Sequence, residues 1–186
     1  ILANATQIRR NIESNGDSPG LNDKDFPDII RITGIELEDF LNGAFSKSGS
    51  EETVIITRSN KRANIFNQEI RKRILFLEGE ISTGDYLMIV RNNYFWVDKD
   101  SRPGFLANGD IVEIMRILKF EEMYGFRFAD VTIRLTDYPE EKDLTVKILL
   151  DTLTVDGPAL SSSDSKKLFD EVMKDYEEIP SRRGRI

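Results

Sequence analysis

The sequence predicts a mixed α/β protein whose first part alternates helices with short strands and whose second part is a small antiparallel β-barrel followed by a helix. Apolar residues recur at helical spacing before Gly84, whereas alternating apolar and polar residues dominate after it. With 186 residues, of which 39% are hydrophobic, the chain is long enough to bury a core. The predicted domains are a partial α/β domain at 1–83, the barrel at 84–157, and a C-terminal helix and tail at 158–186.

The first segments predict a helix, a loop, a strand and a second helix, in that order. Apolar residues at intervals of three and four give a helix at 2–12, and the polar residues 13–25, with two glycines and a proline, give a loop. The isoleucines within 26–33 predict a short strand. Leu37–Phe45 carries apolar residues at i, i+3, i+4, i+7 and i+8, which indicates an amphipathic helix.

A second strand and a third helix follow. Val54, Ile55 and Ile56 form an apolar run typical of a strand buried on both faces. Ser59 or Asn60 is suited to cap the next helix, whose buried face is predicted to consist of Ala63, Phe66, Ile70 and Ile74. Because two strands cannot complete a doubly wound sheet, we expect this region to be part of a larger α/β domain.

Four further strands are predicted without a helix between them. They are Tyr86–Val90, Ile111–Leu118, Phe126–Leu135 and Leu144–Leu150, with a hairpin turn at Asn108-Gly109. Four or five short antiparallel strands indicate a small barrel, either SH3-like or OB-like. A slip in the alternation of the third strand predicts a β-bulge at Ala129-Asp130.

A last helix is predicted after Gly157-Pro158. Ser163 is its expected cap, and we expect the tail from residue 181, which contains three arginines, to be frayed. The inward face is predicted to consist of Leu168, Val172, Met173 and Tyr176.

Composition excludes several classes of site. The chain has no cysteine and no histidine, which removes the usual zinc sites, thiol nucleophiles and histidine-based triads. No glycine is followed by lysine, so no GxxxxGK[ST] phosphate loop is present. Asp98 and Asp100 imitate the start of a calcium loop, but Pro103 stands where its glycine is required. We therefore predict no catalytic, cofactor-binding or metal-binding residue.

Location is predicted from apolar runs and from the first residue. No apolar run approaches the roughly 18 residues of a membrane helix, and we expect a cytoplasmic protein with no membrane partner. Because Ile1 is not a natural start and the first helix begins without a cap, we expect an excised piece of a longer protein.

One block of the acidic chain is basic. The formal net charge is −7, yet six basic residues fall within residues 58–73: Arg58, Lys61, Arg62, Arg71, Lys72 and Arg73. A local basic strip can bind a phosphate backbone, and the free N–H groups at a helix start near Asn60 would add to it. The other explanation is a solvated helix face.

Several motifs carry a resemblance to a known family. The strand, T-x-x-N-x-x-A and N-x-x-I-R series at 53–71 resembles a block of superfamily 1 DNA helicases of the RecD-like type (exonuclease V alpha-subunit type). Three later motifs are similar to that family's GD, NNY and NGD series in order and spacing: Gly84-Asp85, Asn92-Asn93-Tyr94 and Asn108-Gly109-Asp110. The resemblance is closest over residues 53–118.

The resemblance implies part of the second RecA-like domain followed by its SH3-like insertion. The nucleotide-binding motifs would lie before Ile1 and an HKxQG motif after Ile186, so ATP and Mg²⁺ are implied for the parent helicase and not for this piece. The implied partners are single-stranded DNA and the remaining helicase domains. The residues expected to contact DNA are Thr57, Arg58, Ser59, Asn60, Lys61, Arg62, Asn92 and Asn93.

A protein-interaction module is the alternative. An SH3-like barrel can bind a peptide in an aromatic groove. The aromatic residues expected to line it are Tyr94, Trp96, Phe105 and Tyr124.

Overall fold

A computed structural model describes residues 2–16, 20–24, 26–98, 101–157 and 159–176. The chain divides into two compact units, residues 1–54 and 55–186. The first contains helices α1 (Leu2–Glu13) and α2 (Leu37–Ser48). The second contains the remaining elements, which are α3 (Asn60–Arg73), β1 (Tyr86–Met88), β2 (Ile111–Met123), β3 (Phe126–Leu135), β4 (Leu144–Leu149), a 3-10 helix (Leu150–Leu153) and α4 (Ser162–Asp175).

The first unit forms both predicted helices but buries little apolar surface. Asn4 is its only buried residue among those described; it donates to the Asn22 carbonyl at 3.0 Å and accepts from the Asn22 N–H at 2.8 Å. Helix α2 has no buried residue, although its apolar stripe is present. The strand predicted at 26–33 is wrong, because this segment forms local turns, such as the bond from the Ile29 N–H to the Phe26 carbonyl at 3.1 Å, and the described residues provide no neighbouring strand for it to pair with.

The strand predicted at Val54–Ile56 is also wrong for this chain. Residues 53–57 are irregular, and their backbone groups bond to no other described residue. Val54 is 81% exposed and Ile56 is 91% exposed. The run has the composition of a strand, but a strand needs a paired neighbour, and the described residues supply none.

The four later strands form one antiparallel sheet in the order β1-β2-β3-β4. The sheet curls into a half-barrel, which confirms the antiparallel strands and is consistent with the predicted small barrel; its SH3-like or OB-like type stays a prediction. Tyr124 and Gly125 both have positive φ, 59° and 73°, and link β2 to β3 in a two-residue hairpin. Strand β2 runs five residues beyond its predicted end at Leu118, because it pairs with β3 as far as Met123 opposite Phe126.

The β-bulge predicted at Ala129-Asp130 of β3 is wrong, because the irregularities lie in β2. The register shifts between Ile114 and Arg116 and again between Ile117 and Lys119, so the extra residues, Met115 and Leu118, belong to β2. Strand β3 pairs continuously through Ala129 and Asp130. The two bulges strengthen the local bend and twist of the sheet.

The core lies on the concave face of the half-barrel. Its fully buried side chains are each at most 2% exposed; they are Val112, Ile114, Val131, Ile133 and Leu150. Residues of the long β1–β2 connection, among them Val97 and Leu106, are buried against the same cluster. The described residues of this connection that contact the cluster are therefore part of the packed fold.

Helix α4 forms as predicted, with a different cap. The Ser161 hydroxyl, and not that of Ser163, accepts from the Asp164 N–H at 3.0 Å. Leu168, Val172 and Met173 are half-buried, whereas Tyr176 is 43% exposed and does not join an inward face. Pro158, Asp100 and the tail from residue 181 lie outside the described residues.

Candidate nucleic-acid interface

The start of helix α3 is an exposed, well-formed helix N-terminus. Ser59 has extended backbone angles, φ −152° and ψ 152°, and its hydroxyl accepts from the Arg62 N–H at 3.3 Å. The Thr57 hydroxyl donates to the Ser59 carbonyl at 3.1 Å, which holds the residues before the helix. The N–H groups of Asn60 and Lys61 donate to no other described residue. This end of the helix therefore presents two free donors and the positive end of the helix dipole.

The cations beside this N-terminus are accessible. Residues 58–62 are all exposed, and Thr57 is half-buried. The guanidinium groups of Arg58 and Arg62 form no ion pair with a described residue. The Lys61 ammonium lies 3.8 Å from the Asp156 carboxylate, and both side chains are 69% exposed. Because such an exposed pair contributes little, Lys61 is available to another anion.

This region is positioned by a hydrogen bond that the sequence does not reveal. The Asn64 side-chain amide donates to the Val155 carbonyl at 2.7 Å, which brings the turn before α4 against the first turns of α3. The same contact explains why Asp156 lies close to Lys61. No local pattern connects residues 91 positions apart in the chain, so this contact had no sequence signal.

The C-terminal half of the basic strip has a different role. Arg71 belongs to the predicted basic strip, but its side chain is only 16% exposed and forms a bidentate ion pair with Asp85. Arg73 pairs with Glu69 at 2.6 Å on the helix surface. Lys72 is exposed. Arg71 is therefore not available to a phosphate, because a buried carboxylate takes up its charge, and the accessible cations next to the α3 N-terminus are Arg58, Lys61 and Arg62.

Asn92 and Asn93 stabilise the β1–β2 connection. The Asn92 side-chain oxygen accepts from the Asn108 N–H at 2.8 Å, which joins the two asparagine-containing motifs. The Asn93 side-chain oxygen accepts from the Phe95 N–H at 2.9 Å, and its backbone pairs with Leu106 in an isolated bridge. Asn108-Gly109 forms the predicted turn, closed by the Asp110 N–H and the Ala107 carbonyl at 3.1 Å.

The structure does not join these asparagines to the α3 N-terminus. No hydrogen bond or ion pair connects residues 57–62 with Asn92 or Asn93 in the part of the chain that the structure describes. Their amide oxygens are already used, while the Asn92 side chain is exposed and Asn93 is half-buried. The two groups remain separate candidates for DNA contact.

Three of the four predicted groove aromatics lie in the β1–β2 connection. Tyr94 and Phe105 stack with ring centroids 4.9 Å apart, and Phe95 meets the edge of Trp96 at the same distance. Tyr124 lies at the β2–β3 hairpin, where its hydroxyl donates to the Asp175 carboxylate. Among the described rings, Tyr124 contacts none of the other three.

The described residues do not form a metal site or a membrane-spanning helix. Across the described ranges, no group of three or more acidic side chains is placed to hold a metal ion. None of the helices in those ranges combines the length and apolar character needed to cross a bilayer.

No protein-family model matches the chain, and no curated protein is significantly similar to it.

Proposed function

We propose that the chain is a non-catalytic part of a cytoplasmic, ATP-dependent DNA helicase of the RecD-like type, and that it contributes a contact to the backbone of single-stranded DNA. The observation that carries the proposal is the start of α3, where free N–H groups and accessible cations share one exposed surface. We call residues Thr57–Arg62 the backbone-binding turn. The half-barrel is the accessory domain beside it.

The chemistry of the backbone-binding turn suits a phosphate. The N–H groups of Asn60 and Lys61 and the helix dipole favour an anion at this point. Arg58, Lys61 and Arg62 add positive charge, and only Lys61 has a described ion-pair partner. An overall charge of −7 opposes non-specific binding, so the attraction must be local.

The backbone-binding turn is suited to bind nucleic acid without reading its sequence. Hydroxyl groups, main-chain donors and cations contact phosphate and sugar, whereas sequence is read at the base edges. A translocating helicase requires such a contact, since it must accept every sequence. The order of the GD, NNY and NGD motifs supports the same family.

Exposed apolar side chains support a larger α/β domain of the RecA-like type. Val54 and Ile56 are 81% and 91% exposed, and the backbone around them is unpaired among the described residues. Parallel strands on either side would bury these side chains and satisfy the backbone groups. The remaining helicase domains, which would bind ATP and Mg²⁺, are therefore proposed as partners of this segment.

Fluorescence anisotropy with a labelled oligothymidylate tests the proposal. The double variant Arg58→Ala/Lys61→Ala should bind at least about tenfold more weakly at low salt, since two phosphate contacts are lost. Arg116→Ala/Lys166→Ala is the matched control, because it removes two exposed charges from other parts of the same unit. Equal affinity of the two double variants would overturn the assignment.

Peptide binding by the half-barrel is the second candidate, favoured by the stacked pair Tyr94 and Phe105. Docking of a proline-rich peptide on aromatic rings should depend little on salt. Titration with such a peptide, observed through the single tryptophan, separates this candidate from DNA binding.

A further inference from the structure

The connection between β1 and β2 carries aromatic rings that the backbone-binding turn does not use. We call Tyr94, Phe95, Trp96 and Phe105 the aromatic loop cluster. It contains two ring contacts, a stack between Tyr94 and Phe105 and an edge contact between Phe95 and Trp96. These contacts join the four rings in two pairs.

The outer rings of the cluster are accessible to solvent. Phe95 is 80% exposed and Tyr94 is 62% exposed, although both belong to a folded connection. Apolar rings held in water are unfavourable, and rings that protrude together are typical of a binding surface. Two adjacent exposed rings can therefore serve as a contact surface for a flat ligand.

The backbone beneath the rings is fixed. The Asn93 side chain accepts from the Phe95 N–H at 2.9 Å, and the Asn93 and Leu106 backbones bond to each other in both directions at 2.8 Å. Trp96 packs against the buried core. A ligand that stacks on Phe95 would thus meet a ring carried on a hydrogen-bonded backbone, which lowers the entropic cost of ordering the chain on binding.

The shape and charge of the cluster favour a nucleobase over a peptide. A proline-rich peptide needs a groove between aromatic walls. Here Phe95 projects into solvent, and Tyr124, the fourth wall expected for a groove, is at the distant hairpin with its hydroxyl on Asp175. A projecting ring is suited to stack on the flat face of an unpaired base.

Two polar neighbours fit the same ligand. Arg91 is exposed and pairs with no described carboxylate, so it is available to a phosphate beside a stacked base. The Asn92 amide is exposed as well, and its nitrogen lies 3.5 Å from the Tyr94 hydroxyl. A cation next to exposed rings is the usual composition of a surface that binds single strands.

We propose that Phe95 and Tyr94 stack on unpaired nucleobases of single-stranded nucleic acid, as a second contact that is chemically distinct from the backbone-binding turn. This inference rests on the proposed function for its ligand. Phosphate contact gives affinity without regard to bases, whereas stacking requires that bases be present. The two contacts can therefore be measured separately.

The experiment compares an oligothymidylate with an abasic oligonucleotide of the same length, each titrated into the whole 186-residue chain. Phe95→Ala should weaken oligothymidylate binding by about fivefold to 100-fold, the range found for loss of one stacked base, and should leave abasic binding unchanged. Phe95→Tyr should retain the affinity, since it keeps an aromatic face. Stacking should also change the fluorescence of the neighbouring Trp96.

Phe76→Ala is the matched control, because Phe76 is 79% exposed and lies outside the cluster. Equal effects of Phe95→Ala and Phe76→Ala, or equal losses with and without bases, would overturn the stacking. The proposed function would stand if Arg58→Ala/Lys61→Ala still weakened both oligonucleotides. Failure of both oligonucleotides to bind would overturn both proposals, and binding of a proline-rich peptide that Phe95→Ala abolishes would assign the cluster to peptides.

Discussion

Arg71 and Asp85 form a bidentate ion pair that fastens the last turns of α3 to the start of the sheet. The two contacts are Arg71 Nε to Asp85 Oδ1 at 2.8 Å and Arg71 Nη2 to Asp85 Oδ2 at 2.9 Å. Asp85 also accepts from the Ser82 N–H at 2.6 Å, and Gly84 has a φ of 86° that suits glycine. The Gly84-Asp85 motif therefore has a structural role, because its aspartate connects α3 to the first strand of the half-barrel.

Breaking this pair should destabilise the second unit. Arg71→Ala leaves the Asp85 carboxylate buried without its partner, for which we expect a loss of about 3 kcal/mol in the free energy of unfolding. Arg73→Ala, on the exposed surface of the same helix turn, should cost less than about 1 kcal/mol. Urea denaturation of both variants measures the difference. Similar losses for the two would show that Arg71 does not fasten the helix.

Changing the cap of α3 should separate folding from DNA binding. Aspartate caps helices as well as serine does, so Ser59→Asp should keep the free energy of unfolding within about 0.5 kcal/mol. The added negative charge at the backbone-binding turn should weaken oligothymidylate binding by about tenfold. Ser59→Asn, which caps without charge, should keep both properties. The idea fails if Ser59→Asp and Ser59→Asn bind DNA equally.

The ion pairs across the sheet should make stability depend on pH through Glu121. Hydrogen bonds from Lys119, and then from Lys147, lower the pKa of the Glu121 carboxyl below its ordinary value. A lowered native pKa means that the contribution is complete above the unfolded pKa of about 4 and is lost as the pH falls through the native pKa.

The variant Glu121→Gln tests this dependence. Its Tm should be below that of the wild type near neutral pH, and the difference should shrink as the pH falls below about 4. Glu122→Gln, at the neighbouring exposed position, is the control. A Tm difference for Glu121→Gln that stays constant over the whole range would contradict the assignment.

The exposed positions Val54 and Ile56 should tolerate charge in this chain. Ile56 is 91% exposed, so Ile56→Lys should change the free energy of unfolding by less than about 0.5 kcal/mol. Ile114, which is 0% exposed, should lose about 2 to 5 kcal/mol on replacement by alanine.

In the proposed longer helicase, where neighbouring strands would cover this run, Ile56→Lys should lower the Tm markedly. Differential scanning fluorimetry of both lengths makes the comparison. An equal effect of Ile56→Lys in the two lengths would count against a covered strand.

Patterns within one segment predicted the local structure well. The alternation in Phe126–Leu135 predicted strand β3 with its observed ends, and Ser59, one of the two predicted caps, is the cap of α3. Both depend on neighbours in sequence, which a single sequence contains. The bulges at Met115 and Leu118 were missed because they arise from how β2 follows the bend of its partner.

Features that depend on distant partners could not be predicted in this way. Val54–Ile56 has a strand's composition, but pairing requires a neighbour that the described residues do not contain. Arg71 looked like part of a basic face, since no periodicity reveals that Asp85 folds back beneath it. The contact between Asn64 and Val155, which shapes the candidate site, joins two segments without a shared motif.

The salt dependence of binding tests the backbone-binding turn most directly. For the wild-type chain with oligothymidylate, the logarithm of the association constant should fall linearly with the logarithm of salt concentration, by about 0.7 per phosphate contact. Arg58→Ala/Lys61→Ala should reduce this slope by about 1.4, while Arg116→Ala/Lys166→Ala should leave it unchanged. Phosphate contact by the backbone-binding turn would be contradicted if the wild-type affinity did not change with salt concentration. It would also be contradicted if Arg58→Ala/Lys61→Ala did not alter the slope.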